Sequence, residues 1–537
     1  GAGLVRERQV GDTERFELAR NRLKDVLIEE TPETDRRIYH RRIGEALERL
    51  HRRRISYIVE SLAYHFEQGE VSAKAYPYLV QAADKLMQRT FVEEAIEYLE
   101  RAAAIEPDAR EFMTLDDADR RLAELHLRRS KALYHLGRWT EASSLVEKAD
   151  ALAIELGDPK LLAGAATELG FQARRIRDLE GAKRHLQRAT EYARKHGDAR
   201  LEIVPLYELG GVAWGEGDLD RARDRWIEGL ARSEQFNDEQ KIAMGYSALG
   251  LLSLCKGQSA DARRKLEQAI EVCEKHGLME RLTISRINLT ELYHFTGNFR
   301  KGLQLADKTV AQAQEVRHLF GIGLGLRYRT IMLTDISRFP EAVENSQESL
   351  RIHREMGNKE EELSSLIVSC RCGLAQGTYD DVERWLSEAM ELVEDYDTEG
   401  FAPILHAWQA RILAIRGQRD KAGAEIELAL KETGRAWPQQ KVRTNLNMAR
   451  AYLLLDRNSD ALHLAEEALR IADSCGYRHY AMRARKVIMK ATDEETVIAR
   501  HQRVAHALAR SLAANLSRDD AEAFLTMHEV PPRMSLI

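Results

Sequence analysis

Proline is scarce, with 10 in 537 residues, about 2% against the ~5% of an ordinary globular chain. The main interrupter of helices is therefore nearly missing, while Ala, Leu, Glu and Arg, the strong helix formers, dominate. Cysteine is equally sparse. Cys255, Cys273, Cys370, Cys372 and Cys475 are an odd number without a Cys-x-x-Cys pair, which excludes a disulfide framework and a zinc knuckle. Cys370-Arg371-Cys372 has no second pair at ligand spacing, so buried helix thiols in a reducing cytoplasm are expected. No apolar run reaches the roughly 18 residues of a spanning helix, and the N-terminus lacks an apolar signal core. No membrane association is expected. Nor is there a large excess of either charge: 81 Lys+Arg against 87 Asp+Glu gives a formal net charge of -6. The whole chain is thus neither a polyanion binder nor an acidic tail, and a nucleic-acid role would need a local patch.

Catalytic signatures are missing too. The chain has no Gly-Lys dipeptide and hence no phosphate-cradling P-loop, no His-Glu-x-x-His, and no His-Arg-Asp with Asp-Phe-Gly. Gly321, Gly323 and Gly325 have the wrong spacing for a nucleotide loop and read as close packing at a helix start. Ser247, in Gly245-Tyr246-Ser247-Ala248-Leu249-Gly250, only superficially resembles a nucleophile elbow and reads as structural or groove-facing. The acidic clusters Glu360 to Glu362 and Glu391 to Glu399 read as solvated helix ends. No catalytic residue, metal or cofactor is expected, and the chain is read as a non-enzyme.

What the sequence does contain is a repeat. Gly137, Gly217, Gly257, Gly297, Gly377 and Gly417, with Arg177 and Ser337 in the two intervening positions, mark eight units of 40 residues. Less regular units follow from Thr90 with Ala95 and Ala102, and from Asp456 with Ala461 and Ala468, and an outlying unit begins near Gly69. Most units have a small residue seven before the turn, an Ala five after it and another small residue seven further on, as in Gly170/Ala182/Ala189, Gly250/Ala262/Ala269 and Ala410/Ala422/Ala429. Small side chains let two antiparallel helices approach closely, and a turn glycine caps the first of them. The unit is therefore a helical hairpin. These positions, with Leu169-Gly170, Leu209-Gly210 and Leu249-Gly250, resemble the tetratricopeptide repeat (TPR), whose usual period is about 34. The additional residues are expected to lengthen each helix by most of a turn. The resemblance covers about residues 60 to 490.

Before the repeats, Gly11-Asp12 between Leu4-Val5-Arg6-Glu7 and Arg15-Phe16-Glu17-Leu18 signals a short β-ribbon. Pro32 then opens a helix with Ile38, Tyr39, Ile43, Ala46, Leu47 and Leu50 as its apolar stripe. Together with His40-Arg41-Arg42-Ile43-Gly44-Glu45-Ala46-Leu47-Glu48 and Leu62-Ala63-Tyr64-His65-Phe66, this order resembles the winged-helix-to-TPR junction of bacterial STAND-type signalling ATPases, some of which carry a Ser/Thr kinase domain. Ala19-Arg20-Asn21 departs from that pattern, which usually has a His after the strand. The resemblance implies a nucleotide-binding engine ahead of this segment. The opening Gly1-Ala2-Gly3, without Met, agrees with an excised fragment.

The expected fold is all-α: a right-handed TPR-like superhelical solenoid behind a small N-terminal winged-helix remnant. Residues 1–55 are the remnant and a linker helix, 56–110 the first irregular hairpins, and 111–490 the regular solenoid. Residues 491–530 are expected to be capping helices, with Val497, Val504, Leu508, Leu512 and Leu516 inward and Ser517 as an N-cap before Ala521 and Phe524. Residues 531–537, with Pro531-Pro532, form a flexible tail.

By resemblance the concave groove binds a protein or peptide partner. Projected on the repeat register, its candidates are Arg174, Tyr207, Trp214, Asn288, Glu291, Arg327, Tyr328, Arg371, Trp408, Arg411, Asn447 and Arg450. Arg371, Arg411 and Arg450 occupy one repeat position in three successive units, a basic ladder suited to acidic side chains or a peptide carboxylate. Tyr207 and Trp214 read equally well as an aromatic anchor or as core. A second basic cluster, Arg36, Arg37, Arg41, Arg42, Arg49, Arg52, Arg53 and Arg54, is diluted by Glu33, Asp35, Glu45 and Glu48. It is read as a docking surface for a neighbouring domain in preference to DNA. The expected role is a sensor or scaffold arm in signal transduction, the alternatives being a constitutive assembly scaffold and a DNA-binding regulator.

Overall fold

The computed structural model describes residues 5–10, 13–18, 30–52, 54–88, 91–111, 113–136, 138–176, 178–315, 318–396, 400–433 and 436–529. Two compact units, residues 1–156 and 157–537, divide the chain. This division falls inside the stretch 111–490 that the repeat period presents as continuous.

The first unit opens with the expected ribbon, β1 (Val5–Val10) and β2 (Thr13–Leu18), antiparallel with Val5 opposite Leu18 and Val10 opposite Thr13. Gly11-Asp12, Ala19-Arg20-Asn21 and Arg53 lie outside the described residues. Six helices follow: α1 (Glu33–Leu50), α2 (Val59–Gln68), α3 (Ser72–Gln88), α4 (Val92–Ala109), α5 (Leu115–His135) and α6 (Trp139–Leu156). The apolar stripe of α1 is only partly used. Gly44 is buried under the Phe66 ring and Leu47 packs beside Leu62 and Phe66, but Ile38, Tyr39, Ile43 and Leu50 are exposed. Gly44 sets the contact: the missing Cβ admits Phe66 at 3.0 Å, which turns that face of the helix inward and the rest of the stripe outward.

The second unit begins with eight helical hairpins. They are α7 (Pro159–Arg175) with α8 (Leu179–His196), α9 (Ile203–Gly215) with α10 (Leu219–Gln235), α11 (Glu239–Cys255) with α12 (Ser259–His276), and α13 (Met279–Thr296) with α14 (Phe299–Glu315). Then come α15 (Leu319–Asp335) with α16 (Phe339–Glu355), α17 (Lys359–Gln376) with α18 (Tyr379–Tyr396), α19 (Ala402–Ile415) with α20 (Arg419–Thr433), and α21 (Pro438–Leu454) with α22 (Asn458–Cys475). Three more helices end the unit: α23 (Arg478–Ala491), α24 (Glu495–Ala513) and α25 (Arg518–Met527). From α10 to α18 every helix has 17 or 18 residues, so the surplus over a 34-residue repeat has gone into helix length. Ala182, Ala189, Ala262, Ala269, Ala410, Ala422 and Ala429 are fully buried, and a Cβ on Gly250 would meet Leu266 at 2.7 Å. Gly321, Gly323 and Gly325 lie within α15, with the His353 imidazole against Gly323.

At the hairpin tips Gly217, Gly257, Gly297, Gly377 and Gly417 take positive φ, and Ser337 (φ 70) and Asp456 (φ 60) do so without being glycine. Gly137 and Arg177 lie outside the described residues. A second series half a period away, Gly157, Gly197, Asn237, Gly277 and Gly357, also takes positive φ and turns each hairpin into the next.

The solenoid of this unit folds back on itself. The Tyr477 hydroxyl donates to the Leu254 carbonyl at 3.0 Å, Ser259 Oγ donates to the Cys475 carbonyl at 2.9 Å, and Phe524 stands 5.7 Å from the Phe299 ring. Leu512 lies against Gly297. One core therefore runs from Leu254 to Phe524 and includes Phe295, Phe299, Tyr477, Met482 and Ile488. The last helices pack on α23 at the end of the stack and also reach the tip between α13 and α14, which closes the unit. Ser517 does N-cap α25, accepting from the Asp520 amide at 3.2 Å, but Val504 stays exposed. Residues 531–537 lie outside the described residues.

Candidate functional site

Closure leaves a cavity of about 470 Å³ between α15, α17, α19, α21 and α23, with Met527 and His528 at its edge. Repeat spacing brings Arg371 from α17, Arg411 from α19 and Arg450 from α21 to its wall, joined by Trp408 and Asn447. Five of the groove candidates thus converge. The others are placed elsewhere. Arg174 pairs with Glu208 at 2.9 Å and Arg327 with Glu361 at 2.8 Å. Tyr207 is core: its hydroxyl donates to the Lys241 carbonyl at 2.8 Å, and burial pushes its phenol pKa up. Trp214 packs edge-on against Trp437, ring centroids 4.2 Å apart, so Tyr207 and Trp214 do not form a joint exposed anchor. Asn288 donates to Ser247 Oγ at 3.3 Å, Glu291 faces Arg443 at 3.7 Å, and Tyr328 is buried beside the Arg327 guanidinium.

The cavity also takes side chains that the repeat register did not indicate: Arg443, Tyr480, Arg483, Lys486, Lys490 and His528. A signal for them exists. Arg443 lies seven residues before Arg450, two turns on one helix face, and Arg483, Lys486 and Lys490 follow the 3–4 spacing of a single stripe.

Behind the wall lies Asp335, fully buried, with its carboxylate paired to Arg371, to Arg483 Nη2 at 3.3 Å and to His294 Nδ1 at 2.6 Å. His294 Nδ1–H donates to Asp335, which leaves Nε2 to accept from the Tyr480 hydroxyl at 3.0 Å. Burial holds His294 neutral, down to about 3, against the opposite pull of Asp335. The Asp335 carboxyl stays well below the usual range although burial alone would raise it, because the Arg371 guanidinium stands beside it and His294 donates to it. His294, Asp335 and His479 offer donor atoms within 4.8 Å of one another, a spacing a metal could use. Two guanidinium groups already neutralise the one carboxylate, so the donor set suits an ion pair and not a cation.

Seven basic side chains and no carboxylate line the cavity. Arg371 and Arg483 share Asp335, Arg443 has Glu291, and Lys486 has Glu529 at 3.4 Å. Arg411 and Arg450 have neither an ion-pair nor a hydrogen-bond partner among the described residues. Burial and the neighbouring Arg411 and Arg483 charges pull Arg450 down to about 9, and burial lowers Arg411. The apolar side of the cavity is Trp408, Leu374, Ile404, Leu453 and Val487. Guanidinium groups held without counter-charge beside such a surface bind anions.

On α1, Arg37 pairs with Glu33 at 2.5 Å and Glu70 at 2.7 Å, and Arg41 donates to the Gly69 carbonyl at 2.5 Å. Arg36, Arg42, Arg49, Arg52 and Arg54 are exposed. All five cysteines are buried free thiols, and burial pushes Cys273 up to about 11. Among the described residues, no helix is long and apolar enough to cross a membrane.

Residues 243–514 match the MalT-like TPR region family. No curated protein sequence matches the chain. Among solved structures, a Rap protein complexed with Competence and Sporulation Factor is 14% identical, with 66% of this chain and 99% of that one covered at a TM-score of 0.49. A STAND protein with a tetratricopeptide repeat sensor from Pyrococcus horikoshii is 17% identical over 68% of this chain and 54% of its own, at 0.43. Aspartyl phosphate phosphatase F from Bacillus subtilis is 12% identical over 67% and 94%, at 0.44. The assignment rests on the chain's own hairpins, its 40-residue register and the family match over half its length: it belongs to the MalT-like TPR region family.

Proposed function

We propose that this chain is the sensor arm of a signal-transduction regulator and that its interior basic cavity receives an anionic group of the sensed partner. The observation carrying this reading is the pair Arg411 and Arg450, half-buried on the cavity wall at one repeat position without counter-charge among the described residues. A protein or peptide partner would present acidic side chains or a carboxyl terminus to them. Occupancy changes the charge balance where α17, α19, α21 and α23 meet, so a ligand favouring one packing of these helices biases the regulator between two states. A constitutive scaffold would bind equally well in both states. Five buried free thiols fit a reducing compartment such as the cytoplasm.

The test is thermal unfolding in the presence of tetraglutamate, citrate and pyrophosphate, with glucose as the neutral control. Anions should raise Tm for the wild-type chain and much less for Arg411→Met/Arg450→Met. No response to any anion, or an equal response to glucose, contradicts the reading.

A second reading concerns α1, where exposed arginines share the helix with exposed Ile38, Tyr39 and Leu50. Apolar and basic residues together suit docking on another protein domain better than binding to DNA, whose backbone rewards charge alone. Duplex binding that weakens steeply with salt would reverse that preference.

A further inference from the structure

We infer that the ligand of the cavity is a phosphorylated small molecule bearing at least two negative charges on a compact group, with an apolar or planar body against Trp408. This rests on the anion-sensing reading above and narrows it.

An extended peptide needs an open groove, but where the chain folds back, the hairpin tips at Leu254, His294, Gly297 and Phe299 are occupied by its own Tyr477, Tyr480, Leu512 and Phe524. The basic site beside this contact is a cavity of about 470 Å³, within the roughly 300–1,000 Å³ of small-molecule sites.

One peptide carboxylate brings a single negative charge, which satisfies one guanidinium and leaves the second half-buried and unpaired. A phosphate monoester or diphosphate places two or more charges and at least three acceptor oxygens in the volume of one group, enough to bridge Arg411 and Arg450. Lys486, half-buried and held only by Glu529 and the His528 carbonyl at 3.3 Å, stands on the same wall as a further donor.

The opposite surface of the cavity is apolar. Trp408 is 4% exposed yet lines the cavity with Leu374, Ile404 and Val487, so the non-phosphate part of the ligand meets aromatic and aliphatic carbon. Asp335 does not compete for the ligand's place: its carboxylate is fully buried and already engaged by Arg371 and Arg483.

The experiment is isothermal titration of the full chain with inorganic pyrophosphate, phenyl phosphate and tetraglutamate, repeated on Arg411→Met/Arg450→Met and on the exposed control Arg264→Met. Thermal unfolding without ligand verifies that each variant is folded. The expected result is saturable binding of pyrophosphate and phenyl phosphate, at least tenfold weaker in the double variant and unchanged in Arg264→Met. Phenyl phosphate should also lose affinity in Trp408→Leu, while pyrophosphate should not. Tetraglutamate binding that depends on Arg411 and Arg450, with no phosphate binding, would overturn this inference and leave the anion-sensing reading standing. Absence of binding by all three overturns both, and phosphate binding indifferent to the double variant moves the site elsewhere and overturns the inference.

Discussion

Arg371 and Arg450 stand at equivalent repeat positions and are predicted to respond to the same substitution with opposite signs. Arg371 and Arg483 share a fully buried Asp335, so Arg371→Met removes one of its two guanidinium partners and should cost about 1.5–3 kcal/mol. Arg450 faces Arg411 and Arg483 without a carboxylate, so Arg450→Met relieves burial and repulsion and should raise the ligand-free Tm by about 2–4 °C. Thermal unfolding of both variants at low salt measures the contrast. His353 gives a pH signature. It is fully buried with Nδ1 2.8 Å from Ser365 Oγ, and burial, helped by Arg327, brings its pKa down to about 3. The unfolded chain takes up this proton below about 6.5 whereas the folded chain stays neutral until about 3. Stability is therefore complete above pH 6.5 and falls as pH drops through that window, by about 1.4 kcal/mol per unit for this group. Chemical denaturation at pH 7.5 and 5.5 should show a smaller acid loss in His353→Asn than in wild type.

At the scale of the helix, the hairpins were legible because their determinants are local: a turn residue every 40 positions and small residues at fixed offsets. Ser337 stands where the series expects glycine and adopts φ 70 nonetheless. Ser337→Gly should stabilise by about 1 kcal/mol, read from denaturant midpoints, since its hydroxyl makes only a thioether contact with Met527. The fold-back of α22 to α25 was not legible. Tyr477 and Leu254 are separated by 223 residues, and no periodicity in a sequence encodes which distant face a terminal helix covers. The same is true of the outward face of α1, decided by one buried glycine against Phe66. Phe524 is the test of closure, fully buried between Phe299 and His528. Phe524→Ala should cost about 3–5 kcal/mol. Hydrogen exchange should then show lost protection in α25 and its contacts on α14, while α7 to α10 stay unchanged.

At the scale of the whole second unit, closure turns part of a solenoid face into a half-open basic cavity. The basic ladder foreseen as one wall of an open groove becomes three of the arginines lining it, and the remaining basic groups arrive from α21 and α23. The ladder's register was readable, but the cavity was not, because its far wall comes from the fold-back. The central claim is that this cavity holds an anion between Arg411 and Arg450, and the most direct measurement is an anomalous difference map from crystals of the chain soaked in tungstate, a tetrahedral dianion that mimics phosphate. The account predicts a peak within hydrogen-bonding distance of both guanidinium groups. Tungstate found only on the outer surface, with the cavity free of anomalous density, would contradict it.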